Sequence, residues 1–209
     1  MECPLAVQPV STQSDEALLE AHLAGDEEAF QTLVSRYVAE LVPYLARVTG
    51  SRTTADDIFQ EAFLQVHQSA HTFDLSRRFK PWLYTIAVNK ARDWHRRASR
   101  RRALSLSAPI GSDGEGVGIV DLLQGGHPEP MEGLEQAELA EQVRQAVDGL
   151  PHHLREILLL SYFQKMSYSQ IAETLQIPLG TVKSRLHAAV AAFAQAWGTE
   201  SDEDWGGKT

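Results

Sequence analysis

Residues 167–190 of this 209-residue chain read SYSQIAETLQIPLGTVKSRLHAAV, and this stretch predicts two short helices separated by a tight turn. Ser167 and Gln170 form an S-x-x-Q capping box, which opens a helix that should end near Leu175. Pro178 follows at once and presets the backbone for entry into a second helix. The order of these signals predicts a helix-turn-helix.

The second helix of this pair has one apolar side and one polar side. Val182 and Leu186 should pack inward, whereas Lys183, Ser184 and His187 should point outward, with Thr181 near the start of the helix. A helix that reads bases in the major groove needs apolar anchors behind and short polar or basic side chains in front. A plain helical hairpin with a solvated face has a similar composition, so both interpretations stay open here.

Four further helices are predicted between residues 14 and 102. Ser14, followed by Asp15 and Glu16, is a plausible N-cap with acids in the first turn. A second helix should run from about Asp26 to Val48 and place Val38 on its apolar stripe, with a possible kink at Pro43. The third helix carries apolar residues at spacings of three and four: Ala55, Ile58, Phe59, Ala62, Phe63 and Val66. The fourth should begin near Pro81 and become strongly basic.

The charge of the chain is unevenly distributed. The formal net charge is −9, which at first argues against a nucleic-acid partner. Residues 77–102, however, read RRFKPWLYTIAVNKARDWHRRASRRR and carry ten basic groups against the single acid Asp93. Because salt screens charges over about 8–10 Å, such a segment can meet phosphates inside an acidic protein. Its interleaved aromatic residues could also stack on unpaired bases.

The remaining segments divide the chain into an all-α protein of two small helical bundles. Residues 1–13 and the acidic tail 198–209 lack helical periodicity and are predicted to be disordered. Residues 103–133 are rich in Gly, Pro, Ser and acids, which indicates a flexible linker between bundles at 14–102 and 134–197. Within the second bundle, one helix should run from Pro151 to Phe163. An apolar patch at residues 119–123 has no predicted partner.

Composition excludes several classes of protein. The single cysteine, Cys3, rules out a disulfide scaffold and favours the cytoplasm. No apolar run approaches the roughly 20 residues that span a bilayer, so membrane insertion is not expected. No Gly-rich phosphate loop, metal cluster or nucleophile–base set is present, so neither an enzyme nor a cofactor is predicted.

The third helix also has an acidic face, formed by Asp56, Asp57, Gln60 and Glu61. No His or Cys shares that face at ligand spacing, which argues against a metal site. A solvated helix face and a docking surface for a basic protein both remain possible on these residues alone.

In this order, the motifs resemble those of extracytoplasmic-function (ECF) sigma factors of the sigma-70 superfamily. FQTLVSRYV, ADDIFQEAFLQV and FKPWLYTIAVNKARDWHRR look like their region 2, and LPHHLREILLLSYFQKMSYSQIAETLQIPLGTVKSRLHAA looks like their region 4. The resemblance covers about residues 15–102 and 134–197. It implies a subunit that binds core RNA polymerase and directs promoter-specific initiation, with promoter DNA and, in many members, an anti-sigma factor as partners.

The resemblance also implies roles for individual residues. Residues on the third helix would dock to the polymerase clamp: Asp56, Asp57, Gln60, Glu61 and Phe63. The loop at residues 71–80 would capture a flipped base of the −10 element, and the following groups would lie along −10 DNA: Arg77, Arg78, Lys80, Asn89, Lys90, Arg92, Asp93, Arg96 and Arg97. The −35 element would be read by Thr181, Lys183, Ser184, Arg185 and His187.

The chain departs from the family pattern at two positions. Gln176 stands at a turn position where members often have Gly, and Ala188 stands where they often have Arg, which implies one lost contact to −35 DNA. The alternative function is a helix-turn-helix regulator whose N-terminal bundle senses a signal or dimerises. The basic, aromatic fourth helix and the acidic face favour the sigma-factor interpretation, since a sensor needs neither.

Overall fold

The computed structural model describes residues 13–105, 139 and 142–203, with side chains through residues 100 and 197 in the two long segments. The first segment holds α1 (Asp15–Leu23), α2 (Glu27–Thr49), α3 (Arg52–Ser69) and α4 (Phe79–Ser105), with a short 3₁₀ turn at Ala70–Thr72 after α3. These four helices form the N-terminal bundle. No strand occurs in the described part of the chain.

Side-chain caps start the first three helices. Ser14 Oγ accepts a hydrogen bond from the Ala17 N–H, which confirms the predicted cap of α1. Asp26 caps α2 through the backbone N–H groups of its first turn. Gly50 ends α2 with φ of 73°, a left-handed conformation that suits glycine, and the chain reverses into α3.

The core of the N-terminal bundle follows the predicted stripes with some exceptions. All six apolar positions predicted for α3 are buried, and α2 continues through Pro43 to Thr49. Val38 is 44% exposed, so its predicted place on the stripe is wrong. It directly follows the buried Tyr37, and one residue along an α-helix turns a side chain about 100° away from the core.

The C-terminal bundle contains α5 (142–148), α6 (His152–Leu158), α7 (Tyr168–Leu175) and α8 (Leu179–Glu203). The helix predicted over residues 151–163 changes type near its end, because Leu159–Phe163 forms a π-helical turn. The Gln164 N–H donates to the Leu159 carbonyl at 3.1 Å, which closes this wider turn.

Two helices continue further than the sequence predicts. α4 extends to Ser105, into the predicted linker, and α8 extends to Glu203, into the predicted acidic tail. Neither extension contains a proline, so nothing in the backbone chemistry forces the helix to stop at Arg102 or Trp197. The rest of the predicted linker, its patch at 119–123, the leader through residue 12 and residues 204–209 lie outside the described residues.

The two bundles pack against each other, chiefly through α4 and α7. Buried side chains from both belong to one continuous hydrophobic cluster. At the junction, the Tyr84 hydroxyl donates to the Gln164 side chain. The Thr174 hydroxyl, which is fully buried, lies 3.4 Å from the Pro81 carbonyl oxygen and donates to it. We call this packing the interbundle contact.

Candidate nucleic-acid interface

The capping box and the buried face of α7 orient the helix-turn-helix. Ser167 Oγ accepts from the Gln170 N–H at 3.3 Å, and Gln170 Oε1 accepts from the Ser167 N–H at 2.8 Å, as the sequence predicts. Ile171 and Leu175 are buried and form the inner face of this helix. The first helix of the pair is therefore held at its start by polar bonds and along its length by packing.

Gln176 makes the turn, and its backbone explains why glycine suits this position. Its φ and ψ are 55° and 45°, in the left-handed region. The Gln176 N–H donates to the Glu173 carbonyl at 3.2 Å, and the Ile177 N–H donates to the Ala172 carbonyl at 3.1 Å. This pair of bonds is a Schellman motif, which ends α7 and sets the direction of α8. The turn keeps this geometry although Gln carries a Cβ.

α8 presents a polar face backed by apolar anchors. Val182 and Leu186 are buried, which confirms their predicted inward orientation. The residues assigned to the −35 element fall into two groups. The exposed group consists of Lys183, Ser184 and His187, and the half-buried group consists of Thr181 and Arg185. The exposed group is therefore the part of the predicted −35 set that α8 presents at its surface.

The basic face of α4 lies on the other bundle, and several of its charges have partners. Asn89, Arg96 and Arg97 are exposed, whereas Lys90, Arg92 and Asp93 are half-buried. Three ion pairs involve this face: Lys90–Glu61 at 3.4 Å, Arg92–Glu156 at 2.8 Å and Arg96–Asp93. The first of these pairs joins the basic face to the acidic face of α3.

The loop between the 3₁₀ turn and α4 has a defined internal structure. Phe73 packs on Trp82 with ring centroids 4.6 Å apart, and both contact Phe79 in the core. The Asp74 carboxylate accepts hydrogen bonds from the Ser76 hydroxyl and N–H, and these bonds lower the pKa of Asp74. The loop therefore ends on an anchored aromatic cluster.

The basic residues of this loop point to different partners. Arg77 pairs with Glu173 of α7, and Lys80 pairs with Glu40 of α2 at 2.6 Å. Arg78 is exposed and lies near Glu16. Burial raises the pKa of the Glu16 carboxyl, but its hydrogen bonds and the charge of Arg78 together outweigh burial, so the pKa is lowered overall. Glu16 also accepts a hydrogen bond from the Phe79 N–H at 2.9 Å, which ties the start of α4 to α1.

The acidic face of α3 is exposed except at its edges. Asp57, Gln60 and Glu61 are exposed, and Asp56 is half-buried beside Arg52 at 3.3 Å. Phe63, which is also in the predicted docking set, is not part of this exposed face. Phe63 is buried, and its ring packs against aromatic rings of the core: Phe30, Tyr37 and Phe59. It supports the face from behind.

Glu156 is the residue that sequence reasoning missed. Its side chain is 3% exposed and pairs with Arg92 of the other bundle, while its second carboxylate oxygen has no hydrogen-bond partner among the described residues. Burial raises the pKa of Glu156, and the hydrogen bond from Arg92 opposes that rise. A glutamate within the apolar run REILLL was the available signal, since buried charges require partners.

The interbundle contact covers part of the predicted −10 surface. Arg77 and Arg92 each pair with a glutamate of the C-terminal bundle, so part of each guanidinium is already engaged in this arrangement. The exposed residues that are predicted to meet the −35 element, Lys183, Ser184 and His187, carry no such pair among the described residues.

Two further observations concern other classes of site. Among the described residues, no group of three or more His, Cys, Asp and Glu side chains is arranged to hold a metal ion. Within the same residues, no helix is both long enough and apolar enough to cross a membrane.

Comparison with known proteins relates both bundles to one family. Residues 33–101 match the model of Sigma-70 region 2, and residues 140–193 match Sigma-70, region 4. The chain is 32% identical to the ECF RNA polymerase sigma factor SigW of Bacillus subtilis, over 78% of this chain and 86% of that protein. It is also 32% identical to the ECF RNA polymerase sigma-E factor of Escherichia coli, over 86% and 92% of the two chains.

A solved structure shows the same fold. The sigma factor RpoE from Bartonella quintana, in complex with the anti-sigma factor NepR, superposes with a TM-score of 0.64 at 20% identity, over 81% of this chain and 96% of that one. The sequence matches extend over both helical bundles, and they agree with the motifs and the helix-turn-helix described above. The chain therefore belongs to the ECF family of RNA polymerase sigma factors, the initiation factors that direct core polymerase to promoters.

Proposed function

We propose that the two bundles divide promoter recognition between them. The N-terminal bundle would dock to core polymerase through the exposed acidic face of α3 and meet the −10 element through α4 and the loop at residues 71–80. The C-terminal bundle would read the −35 element as duplex DNA through Lys183, Ser184 and His187. The observation that carries this proposal is the exposed polar face of α8, backed by buried Val182 and Leu186.

Charge and aromatic chemistry support the −10 assignment. Exposed Arg78, Arg96 and Arg97 can neutralise phosphates. The loop aromatic Phe73 is half-buried on Trp82, which leaves part of its ring available to an unstacked base. The proposed −10 set is completed by Lys80, Asn89, Lys90 and Asp93, together with Arg77 and Arg92, each of which also pairs with a glutamate of the C-terminal bundle.

Run-off transcription with purified core polymerase tests the overall function. We expect the protein to confer initiation at specific start sites on genomic DNA fragments. A helix-turn-helix regulator would instead bind DNA without core polymerase and would not create new start sites. Failure to direct any specific initiation with active core polymerase would refute the sigma-factor assignment for this chain.

Charge reversal on α3 tests the docking surface separately. Because Glu61 pairs with Lys90, reversing it would also disturb the −10 face. Asp57→Lys with Gln60→Lys avoids that problem, since both side chains are exposed and no described residue bonds to them. We expect this variant to lose affinity for core polymerase because like charges would face each other.

The matched control is Glu20→Lys, which reverses an exposed acid on α1, away from the proposed surface. Its affinity for core polymerase should stay close to that of the parent. Equal affinities of the parent and the α3 double variant, measured by fluorescence anisotropy, would contradict the docking assignment.

The −35 assignment has its own test. Lys183→Ala with Ser184→Ala removes two exposed side chains without touching the buried anchors of α8. We expect weaker initiation from −35-dependent promoters and unchanged affinity for core polymerase. Loss of both properties would indicate misfolding, and loss of neither would show that bases are read elsewhere.

We also propose an anti-sigma factor as a partner and the cytoplasm as the place of action. The structural neighbour RpoE was solved with an anti-sigma factor, and its fold is shared by this chain. The anti-sigma partner can be tested by expressing the tagged chain in its source cells and purifying it. We expect a stoichiometric partner that blocks run-off transcription.

A further inference from the structure

A cleft of about 640 Å³ lies where the two bundles meet. Its walls come from the end of α2, the middle of α4 and the start of α6, and its charged or titratable lining consists of Arg92, His95, Arg96, His152 and Arg155. The volume falls within the range of about 300–1,000 Å³ that is usual for small-molecule sites. Neither the −10 nor the −35 assignment uses His152 or Arg155.

Among the residues that the structure describes, the lining of the cleft is cationic and contains no carboxylate. Glu156 and Asp93 pair with Arg92 and Arg96, but neither acid lines the cleft. Arg155 donates to the carbonyls of Asp148 and Leu150 and has no carboxylate partner among the described residues. The Arg155 guanidinium is therefore held in position, but no described carboxylate neutralises its charge.

The two histidines of the cleft, His95 and His152, lie in these same positively charged surroundings. Their rings lie edge to face, with centroids 4.7 Å apart, and His95 Nε2 is bonded to the Val48 carbonyl oxygen at 3.0 Å. Partial burial, followed by the charges of His95, Arg155 and Arg92, lowers the pKa of His152 to about 4. An anion in the cleft would offset the charges that disfavour protonation of His152.

We propose that this cleft binds a small anion that carries two or more phosphates, the chemical class of pyrophosphate and nucleoside polyphosphates. Guanidinium groups hold phosphate oxygens through paired, charge-assisted hydrogen bonds, and three arginines line this cleft. One phosphate would leave most of the volume empty, whereas a longer polyphosphate can reach arginines on both bundles.

Binding there would hold the bundles together. Arg92 and Arg96 belong to the N-terminal bundle, and His152 and Arg155 belong to the C-terminal bundle, so the complete set exists only while the interbundle contact is made. A ligand that binds one of two arrangements shifts the equilibrium towards it. The same ligand would compete with −10 DNA for Arg92 and Arg96, a consequence that rests on the proposed function.

Isothermal titration calorimetry of the whole chain with inorganic pyrophosphate, at constant ionic strength, tests the site directly. We expect saturable binding of one pyrophosphate per chain. Arg155→Gln should weaken this binding about tenfold or more, because it removes a charge-assisted contact. Lys165→Gln, which removes one exposed positive charge outside the cleft, should stay within about twofold.

Two additional measurements test whether weakened binding reflects misfolding and whether the ligand acts on the interbundle contact. Arg96→Gln alters a side chain that is 70% exposed, so weakened binding in this variant cannot be attributed to misfolding. Energy transfer between dyes on exposed positions of the two bundles should increase when pyrophosphate is added, because a larger fraction of the molecules then makes the interbundle contact. No saturable binding, or binding that Arg155→Gln and Arg96→Gln leave unchanged, would overturn the proposal.

This test is independent of the sigma-factor function because it needs neither polymerase nor DNA. A chain that fails to bind pyrophosphate but initiates transcription would refute the cleft alone. A chain that binds pyrophosphate but directs no initiation would refute the proposed function alone.

Discussion

Replacing Gln176 by glycine should stabilise the protein. Gln176 sits in the left-handed region with φ of 55°, a conformation in which the Cβ of an L-residue crowds a backbone oxygen. That conformation costs an L-residue about 1–2 kcal/mol. Glycine avoids this cost but loses about 0.5–1 kcal/mol more backbone entropy on folding. The mid-range values of these two terms differ by about 0.75 kcal/mol, which predicts a rise of that size in the free energy of unfolding of Gln176→Gly.

Urea and thermal unfolding of the full chain measure this change. A gain of that size raises the Tm of a chain of about 200 residues by roughly 1–4 °C. Gln176→Ala is the matched control, because it shortens an exposed side chain and keeps the Cβ. Its free energy of unfolding should change by less than about 0.5 kcal/mol.

Comparing the free energies of unfolding of Gln176→Gly and Gln176→Ala tests whether the left-handed backbone destabilises this turn. If Gln176→Gly is no more stable than Gln176→Ala, the left-handed backbone is not the source of strain at this turn. Binding of −35 duplex DNA should be unchanged in both variants, since the Schellman bonds are made by backbone atoms and persist.

Three other perturbations have expected outcomes. Ser167→Ala removes the cap of α7 and should lower the free energy of unfolding by about 1 kcal/mol in urea, so an unchanged midpoint would contradict the capping argument. Leu33→Ala empties a fully buried site and should cost about 2–5 kcal/mol, against less than about 0.5 kcal/mol for the exposed Leu64→Ala. Partial burial and the nearby charges lower the pKa of His152 to about 4, so its contribution to stability is complete above about pH 6.5 and is lost as the pH falls towards 4. His152→Asn should therefore lose less stability than the parent on acidification, and equal losses would refute that assignment.

Local sequence was sufficient for the helix starts and for the exposed polar face of α8. The caps at Ser14 and Ser167 and the buried stripe of α3 depend on residues three or four positions apart, and such neighbours are fixed by helix geometry alone. The same periodicity separates the exposed Lys183 from the buried Val182. Errors arose where periodicity says nothing, as at the ends of α4 and α8 and in the π turn after Leu158.

The contact between the bundles could not be predicted in this way. Arg92 and Glu156 are 64 positions apart, and Arg77 and Glu173 are 96 apart, so no local pattern links them. Sequence identified the basic face of α4 because charge composition is local, but it could not show which of those charges are already paired. Pairing depends on how two separately patterned bundles meet, and that follows from the packing of a shared apolar core, which joins residues without regard to their separation along the chain.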